Sequence, residues 1–552
     1  MADFQAVESR IEAEMQRHQV PGLALAAVRE GEVVYARGFG VSSVETGQPV
    51  TPDTLFRIGS ITKALTATAV MRLVEAGKLD LDRPVKEYLP GLHFSDDQVS
   101  GQITLRRLLS HSAGLPTDHS PYGPRHQGAL ADYVRVQVPG YRFIAPPGKL
   151  YAYSNPGPRI AGYVAEVVAG RPYTELMQEL VFDPLSMTRT TFDPTVAMTY
   201  PLAQSHALEE GKLRVEHRYA DDAGGYPSGF AISTVLDLAQ FARMQMAGGR
   251  LDGHQVLLAE SVAEMQTAQV ERLTTAAGGY GLGLALDRYR SQWRATHNGS
   301  ISAFGSRMAF IPAAGSAVIV LANRAGGFWG EMEGIVDAVL DEILGMPSPQ
   351  PAPETVEPNR AAWPPYTGSY LGDWVGLVTV CVDDGQLILD WNGSRIPMQA
   401  HRDGVYFGQR PGSGEIVTAG FVDEGGQPTH YVQINSSPAE RFEPAPAVAA
   451  RPETWAAYAG RYLGAEDLTF RVDGGRLLVY SVDEGREMPC VPLGPGRFAC
   501  DVGVIEFTRA VDGSVAEVVF GRVYTLRRFA QREEREPGLV EGRNVGRGDI
   551  LI

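Results

Sequence analysis

Cysteine is scarce in this chain of 552 residues, which contains only Cys381, Cys490 and Cys500. The three show neither the spacing of a metal site nor the even number of a disulfide framework, so we interpret them as buried free thiols. The 11 histidines also lack paired-ligand spacings such as H-E-x-x-H, which argues against metal catalysis. The sequence therefore predicts neither a bound metal nor another cofactor.

Long apolar runs are missing as well. No stretch offers the roughly 18 uninterrupted apolar residues of a membrane helix, and Asp3, Glu8, Glu12 and Glu14 interrupt the N-terminal region where an export signal would be apolar. A net charge of -16 argues against nucleic acid or an anionic membrane as a partner. We therefore predict a cytoplasmic protein that acts on a small molecule or short peptide, and we leave open whether it forms a homo-oligomer.

Lysine is rare, with five residues in the chain, and only Lys63 has a serine three positions before it. Lys63 is also the only charged residue between Arg57 and Arg72, in an apolar segment where an unpaired ammonium would be costly. Residues i and i+3 share a helix face, which brings the amine beside Ser60. A lysine of lowered pKa in this position would help to deprotonate a serine nucleophile. The alternative is a capping serine beside a lysine that reaches the surface.

Two further motifs follow in the chain. Tyr153-Ser154-Asn155 lies between a Pro-Gly turn and a predicted helix. His297-Asn298-Gly299 ends a predicted strand, and two more strands over 304–311 and 316–322 complete an antiparallel meander. A glycine at position 299 would let a substrate backbone approach the strand closely.

The order S-x-x-K, Y-x-N and H-x-G resembles the serine β-lactamase and penicillin-binding-protein superfamily, specifically its class C-like branch of esterases, carboxypeptidases and D-aminopeptidases. The resemblance covers about residues 5–345 and extends to flanking phrases such as LLSHSAGLP at 108–116. It implies an α+β catalytic domain over 1–345, in which helices flank an antiparallel sheet beside a helical region.

The resemblance also implies a role for each motif residue. Ser60 would form an acyl-enzyme, with Lys63 and Tyr153 as the coupled base and acid, and it leaves open which of the two starts deprotonated. The backbone N–H groups of Ser60 and Ser300, the latter directly after Gly299, would form the oxyanion hole.

Two positions need separate comment. Asn155 would orient Lys63 and the substrate carbonyl, although an asparagine before Pro156 also suits an ordinary Asx-turn. His297 stands where β-lactamases have a lysine that holds a substrate carboxylate, and a neutral imidazole would hold it less well. Efficient penicillin hydrolysis is therefore not expected.

Beyond residue 345 the composition changes to a proline-rich linker over 346–363. Trp363, Tyr366 and Tyr370 then recur 92 residues later as Trp455, Tyr458 and Tyr462, which indicates a diverged internal repeat. Short alternating stretches with turns rich in glycine and aspartate predict two small antiparallel, lipocalin-like β-barrel domains over 364–446 and 453–532, followed by a charged tail over 533–552.

An H-x-G strand followed by two β domains resembles the D-aminopeptidase architecture most, in which a loop of a trailing barrel enters the cleft and restricts it to small substrates with a free amino terminus. We therefore predict a D-aminopeptidase-like serine peptidase or amidase. The alternatives are a carboxylesterase, a β-lactamase or D-alanyl-D-alanine carboxypeptidase, and a ligand sensor that is acylated without turnover.

Overall fold

A computed structural model describes residues 4–118, 121–209, 211–276, 278–346, 352–391, 393–412, 414–443, 452–463, 467–481, 486–500, 503–510, 514–520 and 524–528. The predicted charged tail and residues 347–351 of the predicted linker lie outside this part of the chain. The helices are α1 Gln5–Arg17, α2 Thr62–Glu75, α3 Asp97–Ser100, α4 Leu105–Leu109, α5 Ala129–Asp132, α6 Pro156–Ala169, α7 Tyr173–Met177, α8 Pro194–Ala197, α9 Tyr226–Gly229, α10 Val235–Met246, α11 Ala259–Met265 and α12 Trp329–Leu344.

The N-terminal region is built on a large antiparallel sheet with short two-stranded ribbons beside it. Its strands up to residue 322 are β1 Gly22–Arg29, β2 Glu32–Gly40, β3 Phe56–Arg57, β4 His206–Glu209, β5 Lys212–Val215, β6 Ile232–Ser233, β7 Arg250–Leu251, β8 His254–Gln255, β9 Val270–Glu271, β10 Gly279–Tyr280, β11 Ala285–Tyr289, β12 Gln292–Ile301, β13 Phe304–Ile311 and β14 Ser316–Ala322. The eight-stranded sheet has the order β2-β1-β14-β13-β12-β11-β10-β9. Strands β13 and β14 have the bounds that the sequence predicts.

Strand β1 explains why this sheet lies between two layers of helices. Successive side chains of a strand point to opposite faces. Leu23, Leu25 and Ala27 pack into a core shared with α1 and α12, whereas Ala24, Ala26 and Val28 pack into a larger core shared with α2 and α10. A strand that is buried on both faces therefore has a sequence of almost uninterrupted apolar residues.

The C-terminal region contains two nine-stranded antiparallel sheets. The first C-terminal β domain has β15 Gly368–Gly372, β16 Gly376–Asp383, β17 Gln386–Trp391, β18 Ser394–Pro397, β19 Gln399–Arg402, β20 Val405–Gln409, β21 Ile416–Phe421, β22 Tyr431–Ile434 and β23 Ser437–Arg441. The second has β24 Gly460–Leu463, β25 Asp467–Asp473, β26 Arg476–Ser481, β27 Arg486–Pro489, β28 Val491–Gly494, β29 Arg497–Cys500, β30 Gly503–Arg509, β31 Val515–Phe520 and β32 Tyr524–Arg528.

The two β domains share one topology. Their strand orders, β18-β17-β16-β15-β23-β22-β21-β20-β19 and β27-β26-β25-β24-β32-β31-β30-β29-β28, are the same when nine is added to each number. In the first domain a Cβ on Gly408 of β20 would lie 2.4 Å from the carbonyl oxygen of Pro397 in β18, so the two ends of the sheet approach each other and nearly close a barrel. The predicted α+β class with two trailing antiparallel β domains is confirmed.

The first β domain docks directly on the N-terminal region. The buried Gln433 side chain donates to the Tyr151 carbonyl (3.1 Å) and accepts from the Leu273 amide (3.1 Å). Lys149 forms an ion pair with Glu424 (3.0 Å). Among the described residues, no helix is both long and apolar enough to cross a membrane.

Candidate active site

Ser60 lies in a 3-10 turn, Gly59–Ile61, that leads directly into α2. The Thr62 hydroxyl donates to the Gly59 carbonyl (2.7 Å) and accepts from the Ala231 amide (3.2 Å), which holds the turn against the chain after α9. Helix α2 is apolar around most of its circumference and is buried almost throughout, as expected for a helix inside a core. The nucleophile candidate therefore stands at the N-terminus of a rigid, enclosed helix.

Lys63 is fully buried on the first turn of α2 and has three polar partners. Its Nζ lies 3.0 Å from Ser60 Oγ, 2.7 Å from Asn155 Oδ1 and 2.6 Å from the Ser228 carbonyl oxygen. The structure thus brings Ser60, Lys63 and Asn155 together, although Asn155 lies 92 residues from Lys63 in the chain.

Tyr153 completes this group. Its hydroxyl lies 2.8 Å from Ser60 Oγ, and Lys63 Nζ lies 4.9 Å from the centre of its ring. Burial raises the pKa of Tyr153, whereas burial, with the nearby charge of Arg159, holds the pKa of Lys63 well below its usual range. These opposite shifts favour a neutral amine beside a protonated phenol.

The three hydrogen-bond partners of Lys63 fit a neutral amine as well as an ammonium. An uncharged amine has two N–H groups and one lone pair, and two of its partners, Asn155 Oδ1 and the Ser228 carbonyl, act only as acceptors. The third partner is the Ser60 hydroxyl, which is able to donate. With a neutral amine, Ser60 would donate to the lone pair of Lys63, while the Tyr153 O–H donates to Ser60 Oγ.

The end of strand β12 runs beside the Gly59–Ile61 turn that contains Ser60. Register with β11 stops at the Ala285–Thr296 pair, so the segment from His297 onward extends past that neighbour. A Cβ on Gly299 would lie 2.8 Å from the Ser60 nitrogen, and a Cβ on Gly59 would lie 2.6 Å from the Ser300 nitrogen. The two backbone amides predicted for the oxyanion hole are therefore close neighbours, and only glycine leaves room for that approach.

His297 is buried in an aromatic cluster and does not present a charge. Its Nε2 lies 2.7 Å from the Tyr280 hydroxyl, and its Nδ1 lies 2.6 Å from the Asn298 carbonyl. Burial lowers the pKa of His297 to about 3. The imidazole is therefore neutral at physiological pH.

His111 also lies against the site. Its Nδ1 accepts from the Ser154 amide (3.1 Å), its carbonyl accepts from the Ala152 amide (2.7 Å), and its ring centre is 4.4 Å from that of Tyr153. It therefore braces both sides of the Tyr153 loop.

A buried ion pair behind Lys63 escapes the sequence reasoning. Arg159 Nη1 lies 3.4 Å from Asp118 Oδ2, and both side chains are less than one-tenth exposed. Arg159 is the only charged residue between Asn155 and Glu166. A single charge in an otherwise uncharged helical segment is also the signal that identifies Lys63, so the sequence carries a signal for Arg159 as well.

A cavity of about 290 Å³ opens at Tyr153 between the N-terminal region and the first β domain. The N-terminal region contributes Pro116, Thr117, Ile144 and Tyr153. The first β domain contributes Leu371, Gly372, Asp373, Trp374, Ser437, Pro438 and Glu440. The lining thus carries two carboxylates and no basic side chain.

One group of side chains in the described residues has the composition of a metal site. The ligand atoms of Glu14, His18 and Glu331 lie within 4.8 Å of one another. Glu14 lies in α1, His18 follows the end of that helix, and Glu331 lies in the first turn of α12, so the group contributes nothing to the Ser60 group.

Comparisons with known proteins show what the chain is similar to. A sequence model of the family described as Beta-lactamase matches residues 7–339. The chain is 31% identical over 373 residues to penicillin-binding protein 4 of Amycolatopsis lactamdurans, an alignment that covers 66% of this chain and 96% of that protein.

Two solved structures extend the similarity into the C-terminal region. SurE, also solved with D-Leu, has a TM-score of 0.62 and 27% identity over 79% of this chain and 98% of its own. The octameric penicillin-binding protein homologue from Pyrococcus abyssi has a TM-score of 0.57 and 26% identity over 78% of this chain and 98% of its own.

Proposed function

Because this chain belongs to the Beta-lactamase family, we propose that it is a serine hydrolase that releases an amino-terminal residue, of D configuration, from a small amide or peptide. Ser60 would be the nucleophile, Lys63 the starting base, and Tyr153 the partner that passes the proton to the leaving group. The observation that carries the substrate assignment is the acidic cavity at Tyr153.

In this proposal the Ser60 oxygen attacks the substrate carbonyl carbon while its proton moves to the Lys63 amine. The oxygen of the tetrahedral intermediate is stabilised by the amides of Ser60 and Ser300. The proton then passes through Tyr153 to the leaving nitrogen, the C–N bond breaks, and an acyl-enzyme remains. A water molecule repeats the sequence in the second half of the reaction and frees Ser60.

The cavity supports a substrate with a free amino group. Asp373 and Glu440 offer carboxylates to an ammonium, and Trp374 offers a π-face that also attracts cations. The volume of about 290 Å³ is at the small end of ligand pockets and suits a compact acyl residue. The D configuration draws on the structure of SurE with D-Leu.

The carboxylesterase alternative also has a specific observation in its favour. Pro116, Ile144, Leu371 and Pro438 give the cavity an apolar portion that would accept a short acyl chain. For a β-lactamase or D-alanyl-D-alanine carboxypeptidase, by contrast, the neutral His297 offers no charge to a substrate carboxylate. A sensor acylated without turnover would differ from all three in keeping its acyl group.

The test compares kcat/KM for D-alanine p-nitroanilide, its L enantiomer, its N-acetyl derivative and p-nitrophenyl butyrate, with Ser60→Ala as the control. We expect a preference for the free-amine D-anilide that disappears in the variant. Activity on the ester alone would replace the proposal with a carboxylesterase. Stoichiometric acylation without turnover would replace it with a sensor, and activity that survives in Ser60→Ala would remove Ser60 from the mechanism.

A further inference from the structure

The two acceptors that hold Lys63 are themselves joined behind it. Asn155 Nδ2 donates to the Asp118 backbone carbonyl, and Arg159 Nε donates to Ser228 Oγ (3.0 Å). Arg159 Nη1 then donates to Asp118 Oδ2 (3.4 Å). The contacts form a closed ring that runs from Lys63 through Asn155, Asp118, Arg159 and Ser228 back to Lys63.

We propose that the Asp118–Arg159 pair is a positioning device for Lys63, which holds both acceptors of the amine and so directs its lone pair at Ser60. This inference rests on the proposed function, in which neutral Lys63 is the base. Neither Asp118 nor Arg159 has a described contact with Ser60, so both would act through Lys63 and not on the substrate.

The pair is built to stay in one arrangement. The hydroxyls of Tyr133 and Tyr141 each donate to Asp118 Oδ2 (2.6 Å), and the Arg159 guanidinium lies 4.6 Å from the centre of the Tyr133 ring. Burial of Asp118 and Arg159 removes the competition of water for these contacts. Loss of one partner would leave the other as an uncompensated buried charge.

The two members of the pair affect the proton affinity of Lys63 in opposite directions. The cation of Arg159 lowers the pKa of Lys63, and the carboxylate of Asp118 raises it. The other titratable groups that face Lys63 are Tyr153, His111 and His297, and burial keeps all three neutral near pH 7. Burial is the largest cause of the lowered pKa of Lys63, and among the described groups the pair supplies the charges that adjust it.

The experiment follows Ser60 phosphonylation by a fluorophosphonate, which needs no knowledge of the substrate. The Ser60 oxygen forms a bond to phosphorus, fluoride leaves, and the serine proton passes to Lys63. Intact-mass spectrometry gives the second-order rate constant between pH 5 and 10 for the full chain and for Arg159→Gln, Asp118→Asn, the double variant and Arg159→Lys. Arg171→Gln is the control, because Arg171 is half-exposed and pairs with Glu179 at the surface.

We expect the rising limb of the pH profile to move to higher pH by about one pH unit or more in Arg159→Gln, and to lower pH in Asp118→Asn. In the double variant the limb should return toward its wild-type position. Arg159→Lys should keep the limb but lower the plateau of the rate constant, because lysine cannot donate to Ser228 and Asp118 together as the forked guanidinium does. Arg171→Gln should change neither.

Two results would overturn the inference. One is a rising limb that stays at its wild-type pH in single variants that circular dichroism shows to be folded. A merely structural role would lower the plateau of the rate constant and leave the limb in place. If a single variant does not fold, Ser228→Ala provides the decision. It removes the hydroxyl that accepts from Arg159 and donates to the Gly225 carbonyl (2.9 Å), and a wild-type plateau in it would count against the ring. Failure of wild-type Ser60 to react at any pH would instead refute the proposed function on which the inference rests.

Discussion

Lys63 carries the proposed chemistry at the scale of one residue, so its removal should be more damaging than a surface lysine substitution. We expect Lys63→Met to lower kcat on the preferred substrate about 10³-fold, within the range usual for loss of a general base. In the wild type, kcat/KM should fall as the pH falls through the lowered pKa of Lys63, because only the neutral amine accepts the serine proton. Initial rates between pH 5 and 10 measure both effects.

The matched control is Lys212→Met in strand β5, where the lysine is exposed. It should leave kcat and the pH profile unchanged. A Lys63→Met enzyme that keeps most of its activity would show that another group accepts the proton, with Tyr153 as the remaining candidate.

His297 should make the folded protein sensitive to acid. Its pKa is about 3 when folded, against an ordinary value of 6.5, so the unfolded chain binds this proton first as the pH falls. The stability from the neutral imidazole is therefore complete above about pH 6.5 and declines toward pH 3, by up to about 1.4 kcal/mol per pH unit.

Denaturant unfolding at pH 7.5, 5.5 and 4.5 measures this dependence, and His297→Gln is the comparison because glutamine has no proton to gain. The variant should lose less stability than the wild type over this range. Parallel losses in both proteins would contradict the assigned shift and move the acid sensitivity to other groups, such as His111.

At the scale of elements, activity should depend on how closely β12 approaches the turn before α2. A Cβ at position 299 would lie 2.1 Å from the Ile58 carbonyl oxygen, so Gly299→Ala must push strand and turn apart. We expect kcat/KM to fall at least about 100-fold, the usual effect of losing one oxyanion-hole donor. Overpacking should also lower the free energy of unfolding by roughly 1–3 kcal/mol.

Gly330→Ala in the exposed first turn of α12 is the control, because a Cβ there meets nothing within 4 Å. It should keep full activity and increase stability by about 0.5–1 kcal/mol, the usual gain of alanine over glycine in a helix. Equal activity of Gly299→Ala and wild type would mean that the two amides do not act together.

At this scale the sequence predicts the features whose residues lie close together along the chain. Ser60 and Lys63 are separated by three residues, and strands β13 and β14 are read from their own alternation, so local pattern suffices. The contact of Lys63 with Ser228 spans 165 residues and that of Arg159 with Asp118 spans 41. Such contacts depend on how helices pack, which periodicity does not encode.

At the scale of the whole molecule, the first β domain lines the cavity at the candidate active site. Gln433 ties it to the backbone of Tyr151, two residues before Tyr153, and the turn after β15 places Asp373 and Trp374 at the cavity. The second β domain supports that turn from behind, where the Val504 amide donates to the Asp373 carbonyl (3.3 Å). The sequence repeat predicts two similar domains, but nothing in it distinguishes the one that lines the cleft.

This arrangement predicts that substrate preference can be altered from outside the catalytic region. In the double variant Asp373→Asn/Glu440→Gln, KM for D-alanine p-nitroanilide should rise about tenfold or more, because hydrogen bonds to charged groups contribute roughly 1.5–3 kcal/mol. The N-acetyl derivative, which has no ammonium, should be turned over as by the wild type. Asp384→Asn, in the turn between β16 and β17 of the same domain, should change neither. Equal losses on both substrates would mean that the carboxylates shape the cleft without recognising charge, and the free amino group would then have to be recognised elsewhere.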